Sequence, residues 1–231
     1  MDHEFHAERP TDLRRAKPWH RLAYIIRALP AGLEQLASEL DAPSDARILD
    51  FGSADAPYRH FFADSVEFVT ADLPGNPEAS LEIRPDGTVP AESGSFDVVL
   101  STQVLEHVTD PGTYLAECFR VLRPGGRMLL STHGMMVYHP DPVDYWRWTC
   151  AGLEQAVTQA NFEIEHFEGI MGLSATGLQL VQDSVYYKLP RALAPVLATV
   201  MQGLIAIADR LQSRESRRLN ALVFALVARK A

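Results

Sequence analysis

Apolar positions along the chain fall into two spacings. Leu22, Ile25, Ile26, Leu29, Leu33, Leu36 and Leu40 recur at three- and four-residue steps within a helix-prone stretch, residues 11–41. That is the spacing of one helix face. Pro30 and Gly32 are expected to divide the stretch into two helices. Residues 46–51 then form a short apolar run into Gly52, and 66–72 a second run closed by Pro74, Gly75, Asn76 and Pro77. Both read as strands ending in loops. A third, short strand is expected at 81–83, ahead of the Pro85-Asp86-Gly87 turn. Residues 96–101 (FDVVLS) are almost continuously apolar, as in a strand buried on both faces.

Further on, a helix is expected at 112–122, stopped by Pro124-Gly125-Gly126, followed by a strand at 127–131, a helix at 151–160 and a strand at 162–167. Strands alternating with helices predict a doubly wound α/β sheet of the Rossmann-like kind. The closing run, 222–228, adds a seventh strand after a long helical stretch. The expected fold is a seven-stranded mixed sheet with helices on both faces and a helical excursion, residues 175–218, before the last strand. Residues 1–44 form an N-terminal helical segment of the same domain, and 45–231 its body.

Composition narrows the function. Thirty acidic against 21 basic residues give a net charge of −9, which repels phosphate backbones and argues against a nucleic-acid partner. Cys118 and Cys150 lack metal-ligand spacing and read as reduced thiols. Residues 1–15 are charged, without the apolar core of a signal peptide, so a cytoplasmic location is expected. The 17 residues from 192 to 208 carry no charge but contain Pro195, Thr199, Gln202 and Gly203. Their large side chains fall in a helical stripe, which predicts a buried or interface helix rather than a membrane span.

The chemistry gathers at strand ends. The run from Ile48 to Ala56 sits where the first strand meets its loop, and small residues there let backbone approach a ligand. Asp72 lies 20 residues past Gly52, where an acidic side chain either closes a turn or accepts a ribose. Asp50-x-Gly52-x-Ala54, Asp72, Ser95-Phe96-Asp97-Val98-Val99, Val104-Leu105-Glu106-His107-Val108-x-Asp110-Pro111 and Leu122-Arg123-Pro124-Gly125-Gly126 occur in order. Together they resemble class I S-adenosylmethionine-dependent methyltransferases of the ubiquinone/menaquinone-biosynthesis type, over residues 45–170. The chain departs from that pattern at Ala54 and Ala56, where the family has glycines.

The resemblance implies that Asp50, Gly52, Ser53 and Ala54 form the loop at the methionine and ribose end, and that Asp72 holds the ribose. Leu73 would pack on the adenine and Asp86 stand near its amino group. Ser101, Thr102 and Gln103 would flank the sulfonium. Methyl transfer to a hydroxyl also needs a base or a metal. His107 and His133 stand at the expected catalytic edge, as bases or as core histidines, with Asp144 the next candidate. Gln103, Glu106 and His107 could together hold a divalent ion such as magnesium. The segment from Tyr138 to Thr149, rich in Trp, Tyr, Asp and Pro, reads as a saccharide-binding loop or an aromatic lid. Similar stretches are familiar in methyltransferases of polysaccharide and glycolipid assembly. The expected reaction is therefore O-methylation of a saccharide or glycosylated metabolite. The alternatives are a quinone or small aromatic acceptor, and a scaffold subunit without activity. The excursion is expected to form a homodimer interface, with a lid or a membrane-surface contact as alternatives.

Overall fold

The computed structural model describes residues 16–140 and 142–231. The expectations placed on residues 1–15 lie outside them. Seven strands form one sheet in the order β3-β2-β1-β4-β5-β7-β6. They are β1 (Arg47–Phe51), β2 (Glu67–Asp72), β3 (Leu81–Glu82), β4 (Phe96–Thr102), β5 (Leu122–His133), β6 (Phe162–Gly172) and β7 (Ala221–Lys230). β1 pairs in parallel with β2 and β4, and β4 with β5, whereas β7 runs antiparallel between β5 and β6. The strand order therefore reverses between β1 and β4. At such a switch point the connections leave in opposite directions and open a crevice at the C-terminal strand ends.

The helices are α1 (Ala23–Ser38), α2 (Pro111–Val121), α3 (Cys150–Gln159), α4 (Leu173–Tyr186), α5 (Ala194–Arg210) and α6 (Arg214–Leu219). Period-two alternation splits the core between the two faces of the sheet. Phe224, Leu226 and Ala228 pack with Leu115, Val121 and Leu153 of α2 and α3. Val223, Ala225 and Val227 pack with Leu33, Leu36 and Ile205 of α1 and α5. β7 is buried from Ala221 to Ala228, hence its uninterrupted apolar sequence.

Two expectations are corrected. α1 is one helix with Pro30 inside it, not two. Proline removes one backbone hydrogen bond there, but Ile25, Leu33 and Leu36 lie on one buried face, and their packing carries the helix through. β5 starts at Leu122, not at 127. Leu122 already pairs with Phe96 of β4, residues 123–126 with Pro124-Gly125-Gly126 bulge out of the ladder, and regular pairing resumes at Arg127 opposite Val98.

The excursion consists of α4, α5 and α6. Its inner faces hold α1 by polar contacts. The side-chain amides of Gln179, Gln182 and Gln202 all donate to the Arg21 carbonyl, at 3.1, 2.7 and 2.7 Å. Gln202 also accepts from the Tyr24 amide (2.7 Å), and Asp209 accepts from the Tyr24 hydroxyl (2.6 Å). Leu22, at the N-cap of α1, offers no capping side chain, so Gln202 serves that end from far along the chain.

Candidate active site

A cleft of ≈ 1590 Å³ opens at the switch point. Typical small-molecule pockets hold about 300–1,000 Å³, so there is room for two ligands side by side. One half is the loop after β1. Gly52 has φ +85°, and a Cβ there would stand 2.5 Å from Val104 Cγ2, so this position admits glycine alone. Ala54 and Ala56 also take positive φ, 47° and 49°, the conformation that the family's glycines adopt without strain. Asp72 braces this loop: Oδ2 accepts from the Ala54 amide (3.0 Å) and from Asn76 Nδ2 (2.6 Å), and Oδ1 from the Leu73 amide (2.8 Å). Asn76 closes the circuit by donating to the Ala54 carbonyl at 2.7 Å.

Of the expected cofactor residues, Gly52, Ser53, Ala54, Asp72, Leu73, Asp86, Thr102 and Gln103 line the cleft. Leu73 is half exposed, an apolar plate at the strand end. Two stand behind the wall instead. Ser101 is fully buried and bonded to the Tyr114 hydroxyl at 2.9 Å. Asp50 is 1% exposed with neither carboxylate oxygen hydrogen-bonded. Burial, reinforced by Asp72 and Asp55, pushes its pKa up to about 7. A buried carboxylate without a donor beside a loop built for close approach fits a cationic ligand. The unpartnered Ser53 hydroxyl points to a polar one. This half therefore fits S-adenosylmethionine, whose sulfonium and ammonium are cationic.

The other half is built around Glu106, in the turn after β4. Its side chain is fully buried, yet it reaches the cleft wall. Oε2 accepts from the Thr132 hydroxyl (2.8 Å), while Oε1 faces His133 Nε2 at 3.2 Å and His107 Nε2 at 4.0 Å. Burial raises the Glu106 carboxyl to about 7 and lowers the His133 imidazolium to about 3, the latter helped by Arg147. His107 Nδ1 lies 2.6 Å from the Val143 carbonyl. A carbonyl only accepts, so Nδ1 donates, and Nε2 is the ring nitrogen left to take up or release a proton. His139 completes a cluster, its ring 5.9 Å from each of the other two.

The loop after β5 is fastened over this corner. The amides of Tyr145 and Trp146 donate to the Glu106 carbonyl (2.8 and 3.2 Å), and the Trp146 indole donates to the Val108 carbonyl (2.7 Å). Asp144, expected as a reserve base, is instead the loop's brace. It accepts from the His139 amide (2.7 Å) and pairs with Arg147, which also holds the Met136 and Val137 carbonyls. It does not line the cleft. The expected metal set is not assembled either. The Gln103 amide donates to Ser131 Oγ at 3.0 Å, and among the described residues no three His, Cys, Asp or Glu side chains are arranged to hold an ion.

Sequence reasoning missed Asn76, the bracing of Asp144 and the cleft's apolar wall. That wall is Leu22 at the N-cap of α1 together with Ile25, Ile26 and Leu29 of the helix. The helical spacing showed an apolar face there but not that part of it lines a cleft.

Comparison with known proteins identifies the family and the fold. Residues 19–167 match the family described as a methyltransferase domain. A probable S-adenosylmethionine-dependent methyltransferase from Mycolicibacterium smegmatis is 36% identical over 88 residues, 36% of this chain and 34% of that protein. The ubiquinone biosynthesis O-methyltransferase of Cereibacter sphaeroides is 35% identical over 138 residues, 50% of this chain and 55% of that protein. The chain thus matches between about a third and a half of the length of these relatives. Among solved structures, a putative methyltransferase from Bacillus halodurans superposes with a TM-score of 0.56 at 16% identity, covering 87% of this chain and 99% of that one. A geranyl diphosphate methyltransferase gives 0.59 at 14%, covering 91% and 82%. These two share the fold. By the family match over most of its length, the chain belongs to the methyltransferase-domain family, the class I S-adenosylmethionine-dependent methyltransferases.

Proposed function

We propose that this protein transfers a methyl group from S-adenosylmethionine to a hydroxyl oxygen of an acceptor with an apolar body. The observation that carries the reading is that one cleft is lined both by the aliphatic face of α1 and by the Glu106–His107–His133 group. When bound, the cofactor supplies an electrophilic methyl on a sulfonium. Gly52, Ser53, Ala54, Asp72 and Leu73 would hold it, with Asp50 beneath the loop as counter-charge and Asp86, Thr102 and Gln103 at the rim. His107 Nε2 takes the proton of the acceptor hydroxyl, and the carboxylate of Glu106 stabilises the imidazolium that forms. The aliphatic wall and the stapled loop keep water from competing for the methyl group.

An acceptor such as a hydroxylated quinone precursor or another substituted phenol fits this cleft better than a saccharide. The saccharide reading needs carboxylates beside aromatic faces, and Asp144 is tied to Arg147. Tyr138 and Tyr145, both exposed and lining the cleft, are what remains in favour of a sugar. Turnover measured as S-adenosylhomocysteine release across alkyl-substituted phenols and catechols, and across oligosaccharides, separates the readings. Turnover on the apolar phenols is expected. Turnover on oligosaccharides alone refutes the apolar acceptor, and cofactor binding without turnover on anything leaves a scaffold.

A further inference from the structure

We propose that the α4–α5 hairpin docks this protein on the surface of an anionic lipid bilayer. The outward side of the hairpin carries Val181, Val185, Val196, Val200, Leu204 and Ile207, each between 38% and 61% exposed. On α5 they follow steps of three and four, so they form one stripe. Single exposed apolar residues are ordinary, but a continuous stripe across two helices marks a contact surface.

Charge selects the occupant. Within residues 173–211 the only acidic residues are Asp183 and Asp209. Both are turned inward, Asp183 paired with Arg21 and Asp209 bonded to Tyr24 and to the Gly172 amide. The cations Lys188, Arg191 and Arg210 are exposed at the two ends of the stripe and make no ion pair with any described residue. The outward face is therefore apolar with a purely cationic rim, in a chain whose net charge is −9. Tyr187, next to Lys188 and exposed, lies under the Arg21 guanidinium, and Trp19, two residues before Arg21, is half exposed with Lys17 over its ring. Amphipathic aromatics beside basic residues and a shallow aliphatic face are what the headgroup region of an anionic bilayer accommodates. A second copy packed about a two-fold axis would oppose cation to cation at both ends, with no acid on the face to answer them. No helix among the described residues is long and apolar enough to cross a membrane, so the contact is with the surface. The inner side of the same hairpin holds Arg21, which lines the cleft with Leu22 and Ile25, so docking sets the apolar wall of the site close to the lipid.

Co-sedimentation with vesicles tests this independently of any activity. The full chain is expected to pellet with vesicles of phosphatidylcholine mixed with phosphatidylglycerol, and to remain in solution with phosphatidylcholine alone or at high salt. The Val200→Glu, Leu204→Glu and the Lys188→Glu, Arg191→Glu double variants change exposed side chains only. Each should lose at least ~tenfold in partitioning while keeping the wild-type melting temperature and S-adenosylhomocysteine binding. Failure to pellet with the phosphatidylglycerol-containing vesicles overturns the proposal, and so does equal binding to phosphatidylcholine alone. So does undiminished binding by both variants, or a stable dimer at micromolar concentration that the same glutamates dissociate, which would assign the face to a second copy.

Discussion

Ala54 and Ala56 show what a single methyl group does in the ligand loop. Both residues occupy left-handed backbone, at about 1–2 kcal/mol each for a non-glycine residue. Glycine would relieve that strain but returns about 0.5–1 kcal/mol through its freer unfolded chain. Ala54→Gly with Ala56→Gly is therefore expected to stabilise the protein by about 1 kcal/mol, a rise of roughly 2–4 °C in melting temperature by calorimetry. A fall would mean that the alanines make contacts worth more than their strain. At Glu106 the expectation concerns rate. Its carboxyl titrates near 7, and only the carboxylate can stabilise a protonated His107. Turnover should rise as pH passes 7, and Glu106→Gln should flatten that rise and lower kcat, with KM for the cofactor unchanged. His107→Ala should cost ~10²–10⁴ in turnover. Gly52 was legible in the sequence because its backbone conformation admits only glycine, and Asp72 because an acidic side chain stands at the end of the second strand. The environment of Glu106 was not, since burial of a carboxylate between two histidines depends on β5 and its loop returning beside β4. Asp144 misled for a related reason: an acidic residue in an aromatic loop looks available until its arginine is located.

At the level of elements, the alternation of strands and helices fixed the order and type of nearly every piece. What failed was local: Pro30 suggested a break that packing overrides, and Pro124-Gly125-Gly126 a stop that a register shift absorbs. The excursion was visible as helical, but its role was not. Gln202 interrupts an apolar stripe, and only the fold shows it serving the N-terminus of α1 and joining Gln179 and Gln182 on one carbonyl. Gln202→Leu leaves the Tyr24 amide and part of the Arg21 carbonyl's bonding unmet in a buried setting. That should cost about 1–3 kcal/mol in denaturant unfolding. It should also weaken acceptor binding, through movement of the α1 wall, more than cofactor binding. An unchanged acceptor KM would show that α1 is positioned by its sheet contacts alone.

For the whole molecule, buried titratable groups tie stability to pH. Asp50 and Glu106 have folded pKa values raised to about 7, so the stability they give is full below their unfolded pKa values and is lost as pH rises to about 7. His133, lowered to about 3, works oppositely, losing stability as pH falls from its unfolded value. Between pH ~5 and ~6.5 two groups oppose one, so the ligand-free melting temperature should fall as pH rises through this window. Asp50→Asn should shallow that fall, and an equally steep slope would mean Asp50 is screened by water.

Calorimetric titration with S-adenosylhomocysteine tests most directly the proposed division of the cleft into a cofactor half and a proton-removing half. Wild type should bind one equivalent, and His107→Ala should bind it equally well while losing turnover. Asp72→Ala should bind ~10–100-fold more weakly, the equivalent of roughly 1.5–3 kcal/mol for a charged hydrogen bond. Absence of binding to the wild type, or binding lost in His107→Ala but kept in Asp72→Ala, would contradict it.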